Sequence, residues 1–330
     1  AVAAIAFAVL FPVPYVILQP GPTLNTLGKD SGGKPLIAIT GHPTYATKGN
    51  LNLVTISYQG GPGSNLNIFQ ALRAWLAPSE AVVPQSELFP PGQTEQETQT
   101  QDTQQMASSQ ELATAAALTQ LHIKYQTQVR VLSTVAGYPA SKVLKAGDIV
   151  EAVDGKPVTG QSSLSSMIGA HPVGSTLQLQ VLRGGKTLTV PVTSKVSGGT
   201  PVIGVQVQEQ YKFPFNVRIS VGDIGGPSAG MMFALGIVDM LTPMNLTGGK
   251  FIAGTGEITA TGQVQPIGGI QQKMVGARNA GATVFLAPAG NCSDTKGAVP
   301  AGLRVVKVST LSQAVSDLEA IKANKPVPSC

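Results

Sequence analysis

The sequence predicts an α+β protein, and three stretches carry that expectation. Residues 216–221, Asn-Val-Arg-Ile-Ser-Val, alternate apolar and polar side chains, the period of a half-buried strand. From Ser228 to Leu241 the run SAGMMFALGIVDML carries one charge, Asp239, and is apolar nearly all round, the composition of a buried helix. Residues 270–280, IQQKMVGARNA, place Ile270, Met274 and Ala277 on one helical stripe and stop before Gly281, a residue suited to the position just past a helix.

The glycines and proline of Gly225-Gly226-Pro227-Ser228-Ala229-Gly230 break the strand pattern before the first helix begins. Ser228 is therefore expected at a strand-to-helix turn, where unpaired N–H groups and the helix dipole favour a developing negative charge. The amides of Gly226 and Ser228 are the candidate oxyanion hole, a feature worth about 3–4 kcal/mol per donor. A helix-capping serine in a glycine-rich turn accounts for the same residues. Lys273 falls within the apolar stripe of the second helix. A lysine on the core-facing side loses hydration of its ammonium form, which lowers its pKa and makes the neutral amine a general base. A lysine that lays its stem on apolar surface and keeps its head in water fits the stripe too. Together Ser228 and Lys273 supply a nucleophile and a base without a histidine.

Three linked segments sharpen this. Residues 223–230 are followed by Gly254-Thr255-Gly256-Glu257-Ile258-Thr259, and then by Val264-Gln265-Pro266-Ile267-Gly268-Gly269-Ile270-Gln271-Gln272-Lys273. Their order and spacing resemble the proteolytic domain of Lon. The resemblance implies Ser228 as nucleophile, Lys273 as base, and Thr255 as a hydroxyl that holds the lysine in place. It also implies a homo-oligomer, since Lon relatives form rings. One departure stands out: many Lon sequences carry an aspartate three residues before the serine, where this chain has Gly225. Asp223 is the nearest carboxylate in sequence. Gly222-Asp223-Ile224-Gly225-Gly226-Pro227 also resembles the G-D-S-G-G-P of trypsin-type proteases, with isoleucine in place of their serine. His42, His122 and His171 lie in no matching context, and Lys273 has no role in that scheme.

Composition bounds the rest. A chain of 330 residues with 42% hydrophobic content can bury two domains. The net charge of +5 is unclustered, so nucleic-acid binding finds no support. Gly184-Gly185-Lys186-Thr187 approaches a phosphate-binding loop but lacks its first glycine, position 180 being glutamine. No nucleotide, metal or other cofactor is expected. Residues 1–18, AVAAIAFAVLFPVPYVIL, carry no charge and read as a membrane anchor, with the tail of a secretory signal as the rival. The expectation is a single-pass cell-membrane protein whose catalytic domain lies outside the cytoplasm. Cys292 and Cys330 are the only cysteines, and two cysteines in an exported domain often pair. That bond would pin the tail and the helix expected over Leu311–Asn324. Two free thiols remain the alternative.

The middle of the chain holds a second module. Val129–Val135, Gly137-Tyr138-Pro139-Ala140 and Leu144–Gly155 resemble, in that order, the strand, turn and hairpin of bacterial protease-associated PDZ domains. Leu164–Gly169 then resembles the helix beside the peptide groove. The resemblance implies binding of extended peptides by strand addition; a small β-rich domain of structural use is the plainer reading. The domain boundaries are an anchor over 1–18, a first proteolytic part over 36–122, the PDZ module over 123–197 and a catalytic part over 198–330. In this arrangement the module is inserted into the catalytic fold. Residues 105–121 form an alanine-rich helix, and 84–104, rich in Gln, Thr and Pro, is expected to be a mobile surface loop. The functional expectation is an ATP-independent Ser-Lys endopeptidase that cleaves exported or membrane-associated proteins. A non-catalytic PDZ adaptor binding peptide tails is the alternative.

Overall fold

Strands from both ends of the chain meet in one mixed sheet. The computed structural model describes residues 12–30, 32–64 and 66–330. In chain order, β1 (Tyr15–Asn25), β2 (Ile37–Thr40), β3 (Asn50–Gly60), α1 (Ile68–Leu76), β4 (Ala81–Pro84) and α2 (Glu95–Gln120) come first. Then follow β5 (Gln126–Thr134), β6 (Ile149–Val153), α3 (Gln161–Gly169), β7 (Thr176–Arg183), β8 (Lys186–Thr193) and β9 (Val205–Lys212). The chain closes with β10 (Asn216–Ile219), α4 (Gly230–Leu241), β11 (Phe251–Gly254), α5 (Ile270–Asn279), β12 (Val284–Pro288), β13 (Arg304–Val308) and α6 (Leu311–Lys322).

The chain divides into two units: residues up to Ile123 together with those from Phe215 onward, and Lys124–Pro214 between them. In the first unit the sheet runs β13-β12-β11-β3-β1-β4. Its early strands pair antiparallel and its late ones parallel, with Ile252 opposite both Leu51 and Val284. Every residue of β12 is buried, as expected of a parallel strand covered on both faces. β10, the first strand after the second unit, returns to pair with β2, placing Ile219 opposite Ile37. Helix α4 buries eleven of its twelve residues. Along it runs α2, whose Ala113, Ala115, Ala116 and Ala117 are buried, small side chains that let the two helices approach closely.

Two expectations are corrected here. Residues 1–11 lie outside the described residues, so the anchor over 1–18 meets the structure only in its second part. There the apolar run enters β1, where Val16 and Ile17 are fully buried as a core strand. Among the described residues no helix is long and apolar enough to cross a membrane. That overturns the expectation of a single-pass membrane protein. The Gln-, Thr- and Pro-rich stretch 84–104 is not simply a loop either: Gln85–Leu88 form a short helical turn of their own, and residues 95–104 form the first turns of α2. Its start is fixed by a capping box, in which the Glu97 amide donates to Thr94 Oγ1 at 3.2 Å and the Thr94 amide donates to Glu97 Oε2 at 2.9 Å.

Cys292 and Cys330 are joined by a disulfide. The bond fastens the chain end that follows α6 to the short helical turn after β12.

The second unit is a sheet of order β9-β5-β6-β7-β8 closed by α3. Its core gathers Val129, Val131, Val150, Leu164, Leu177 and Ile203. β9 pairs along β5 from Val205 to Lys212, so this unit extends past residue 197 to Pro214. Gly184-Gly185 form the β7–β8 turn, a hairpin rather than a phosphate cradle. Asp148, 1% exposed, ties β6 to β7: Arg183 Nε donates to its Oδ1 at 2.7 Å and Nη2 to its Oδ2 at 2.6 Å. The Arg183 hydrogen bonds hold this carboxyl below its usual pKa. Its stabilisation is therefore present above the ordinary carboxylate range and is lost as pH falls through the depressed value. Asp148→Ala should lower stability by about 2–3 kcal/mol, because the guanidinium keeps partial access to water. Urea unfolding of the variant beside the parent checks this, and coincident midpoints would contradict it.

Candidate active site

Ser228 stands in the turn between β10 and α4, two residues before the helix begins at Gly230. Its backbone is held from the end of β11. The Gly256 amide donates to the Ser228 carbonyl at 2.7 Å, and the Thr255 hydroxyl donates to the same oxygen at 2.9 Å. The Met231 amide donates back to the Gly256 carbonyl at 3.0 Å, so the start of α4 and the end of β11 are fastened to each other.

Lys273 reaches this point from α5. The helix starts after Gly269, whose φ of +66° is left-handed and whose Cα lies so near Ile56 that an added Cβ would sit 2.9 Å from its Cγ2. Asn291 fixes the approach: its Oδ1 accepts from the Ile267 amide at 2.8 Å, and its Nδ2 donates to the Ile267 carbonyl at 2.9 Å. Ile270, Met274 and Ala277 are buried, and Lys273 is 2% exposed among them. Its Nζ lies 2.8 Å from Ser228 Oγ and 3.2 Å from Thr255 Oγ1. Thr255 is fully buried, and its proton already goes to the Ser228 carbonyl. Its oxygen therefore accepts from the amine, which leaves the lone pair of a neutral Nζ free to face the serine hydroxyl. Burial pushes the Lys273 pKa from 10.5 to about 7, and the nearby Glu257 carboxylate opposes that fall.

Of the two amides expected to form an oxyanion hole, that of Gly226 is already engaged. The Gly226 N–H donates to the Asp102 carbonyl on α2 at 3.0 Å. Gly226 is thus corrected from oxyanion donor to a fastening of this loop. The Ser228 amide has no backbone acceptor among the described residues. The carboxylate nearest in sequence, Asp223, is exposed. The one whose charge bears on Lys273 is Glu257, half-buried and pushed up by desolvation. It stood beside Thr255 and Gly256 in the sequence, yet no pattern marked it as a neighbour of the lysine. Asn291 was equally silent, since only folding brings it beside Ile267. A cavity of about 500 Å³ opens at Ser228 and Lys273, and no histidine lines it. His42 and His122 are exposed, and His171 is engaged with Asp154 in the second unit. Among the described residues no cluster of metal-ligating side chains occurs.

A serine hydroxyl at hydrogen-bonding distance from a buried amine thus opens onto the cavity, with no histidine beside either. Residues 206–321, which hold Ser228, Thr255 and Lys273, match the Lon protease (S16) C-terminal proteolytic domain, and residues 99–193 match the PDZ domain. Lon protease 1 of Bacillus subtilis is 33% identical over 125 residues, covering 36% of this chain and 16% of that protein. The Lon protease of Heliobacterium modesticaldum is 38% identical over 109 residues, covering 31% of this chain and 13% of that protein. The chain thus spans about a sixth or less of the length of these curated relatives. Among solved structures, the PDZ domain of an SdrC-like protein from Listeria monocytogenes is 28% identical, covering 24% of this chain and 85% of that one, with a TM-score of 0.23. This chain accordingly contains a Lon-type proteolytic domain, which is a serine peptidase domain, and a PDZ domain.

The buried amine makes a direct prediction. NMR titration with labelled lysine should show one side chain changing charge near pH 7, and that signal should vanish in Lys273→Met. If every lysine titrates near 10, the desolvation argument fails.

Proposed function

We propose that this protein is a serine endopeptidase in which Ser228 attacks a peptide carbonyl and Lys273 serves as its base. The observation that carries the reading is the 2.8 Å separation of Ser228 Oγ from the Nζ of a lysine 2% exposed to solvent. In the neutral form Lys273 takes the hydroxyl proton as the oxygen–carbon bond forms. The free Ser228 amide faces the oxyanion, and the resulting ammonium returns its proton to the leaving amine. Water then attacks the acyl-enzyme, with Lys273 again as base and Ser228 as leaving group. Thr255 orients the amine. Every group in this scheme belongs to the first unit, and no step of it consumes a nucleotide.

The substrates we propose are protein or peptide chains of an oxidising compartment, the setting in which the Cys292–Cys330 bond persists. The PDZ module would receive an extended segment of the substrate by strand addition. Assembly into a homo-oligomeric ring is proposed from the likeness to Lon alone.

Cleavage of an unfolded protein such as casein should be lost in Ser228→Ala and Lys273→Ala, each by about a thousandfold or more. Equal cleavage by both variants and the parent would leave the peptide-binding adaptor as the surviving reading. The pH dependence has a definite sign. Lys273 must be uncharged to accept the proton, so kcat/KM should rise with pH through about 7 and level off above it. A profile flat from pH 5.5 to 9 would contradict a lysine base.

A further inference from the structure

The cavity beside Ser228 holds a carboxylate that hydrolysis does not use. Asp102 lies on α2, a helix that comes before the second unit in the chain. Its backbone carbonyl accepts from the Gly226 amide, and an added Cβ on Gly225 would lie 2.6 Å from the Asp102 Cβ. The side chain therefore leaves the helix directly against the loop that leads into the nucleophile. Seven residues on, along the same face of α2, the Ser109 hydroxyl donates to the Pro227 carbonyl at 2.9 Å. Helix and loop are fastened at two points, which sets where the Asp102 carboxylate stands.

That carboxylate lines the same cavity as Ser228 and Lys273. Among the described residues it has no hydrogen-bond or ion-pair partner, and partial burial raises its pKa. Two other carboxylates line the cavity. Glu257 feels the charge of Lys273, and Asp223 is exposed. The remaining wall is largely apolar, including Leu18, Val54, Ile56 and Met106. Lys273 is the sole cationic side chain facing this space among the described residues, and the reactive form of that lysine is neutral.

We propose that Asp102 is a specificity-determining residue of this site, and that it receives the cationic side chain of a lysine or arginine flanking the scissile bond. The inference rests on the peptidase reading above. The chemistry favours such a guest over others. A long basic side chain lays its methylenes on the apolar wall while its head meets the carboxylate in a charge-assisted hydrogen bond. A purely aliphatic residue would leave Asp102 partly desolvated without a partner, and an acidic one would meet like charge.

The test compares internally quenched peptides that differ only by arginine or citrulline, which share a shape but not a charge. The residue is placed on the acyl side of the scissile bond in one pair and on the amine side in another. The parent protein should favour arginine by about tenfold or more in kcat/KM in one of the pairs, the discrimination expected when a buried polar group loses its partner. Asp102→Asn, which keeps the Cβ and the carbonyl that holds Gly226, should bring that ratio to about one. A parent ratio near one in both pairs overturns the proposal, as does an arginine preference that survives Asp102→Asn. Casein cleavage separates the two readings. If casein is cut without any arginine preference, only the role of Asp102 falls. If Ser228→Ala cuts casein as the parent does, the peptidase reading falls with it.

Discussion

A primary amine held almost wholly out of water is the constraint on which the rest of this structure turns. An ammonium group loses its hydration on burial, and nothing in the site offers it a full ion pair, so the neutral form gains. A neutral amine in turn needs partners for its protons and a fixed direction for its lone pair. Thr255 supplies the first by donating its own proton to the Ser228 carbonyl, which leaves its oxygen to accept. The same carbonyl takes the Gly256 amide, so the peptide that orients the lysine also anchors the serine. Ser228, Lys273 and Thr255 are thus tied to one backbone oxygen as their reference point.

That reference point is assembled from distant parts of the chain. Thr255 follows a parallel strand whose neighbour β3 lies some two hundred residues earlier, a non-local pairing of the kind that slows folding. The loop before Ser228 is braced by α2, which precedes the second unit, through Asp102 and Ser109. β2 and β10 pair across the same interruption. The first unit is therefore a single fold whose site depends on segments from both sides of Lys124–Pro214. Separating those segments would remove the brace from the loop before Ser228 even with Ser228, Thr255 and Lys273 all in place.

The legible part of this protein was the part written in local patterns. The nearly all-apolar run after Ser228 announces α4, and the stripe of Ile270, Met274 and Ala277 places Lys273 on the inner face of α5. The resemblance of Val129–Val135, Gly137–Ala140 and Leu144–Gly155 to PDZ domains marks a separate module. The N-terminal end misled because an uncharged run of Val, Ile and Leu reads alike as a membrane segment or a core strand, and only the partner strands β3 and β4 decide. The polar start of α2 misled for the opposite reason. Its Gln and Thr residues carry no apolar stripe, and the T-x-x-E box at Thr94–Glu97 that begins it went unread. Gly226 misled because amide direction depends on the helix lying over it, and Glu257 and Asn291 have no local signature at all. Such contacts arise only between elements, where sequence spacing has nothing to say.

The balance at Lys273 also shows why one carboxylate nearby does not undo the effect of burial. Glu257 would hold the lysine charged if it were close, yet no ion pair between them forms within 4 Å among the described residues. The desolvation that lowers the lysine pKa also raises that of Glu257. One physical cause therefore shifts both groups toward their neutral forms. The amine settles near neutrality because solvent is excluded from both partners together, and a charge added to the open cavity would be felt by the pair rather than by the lysine alone.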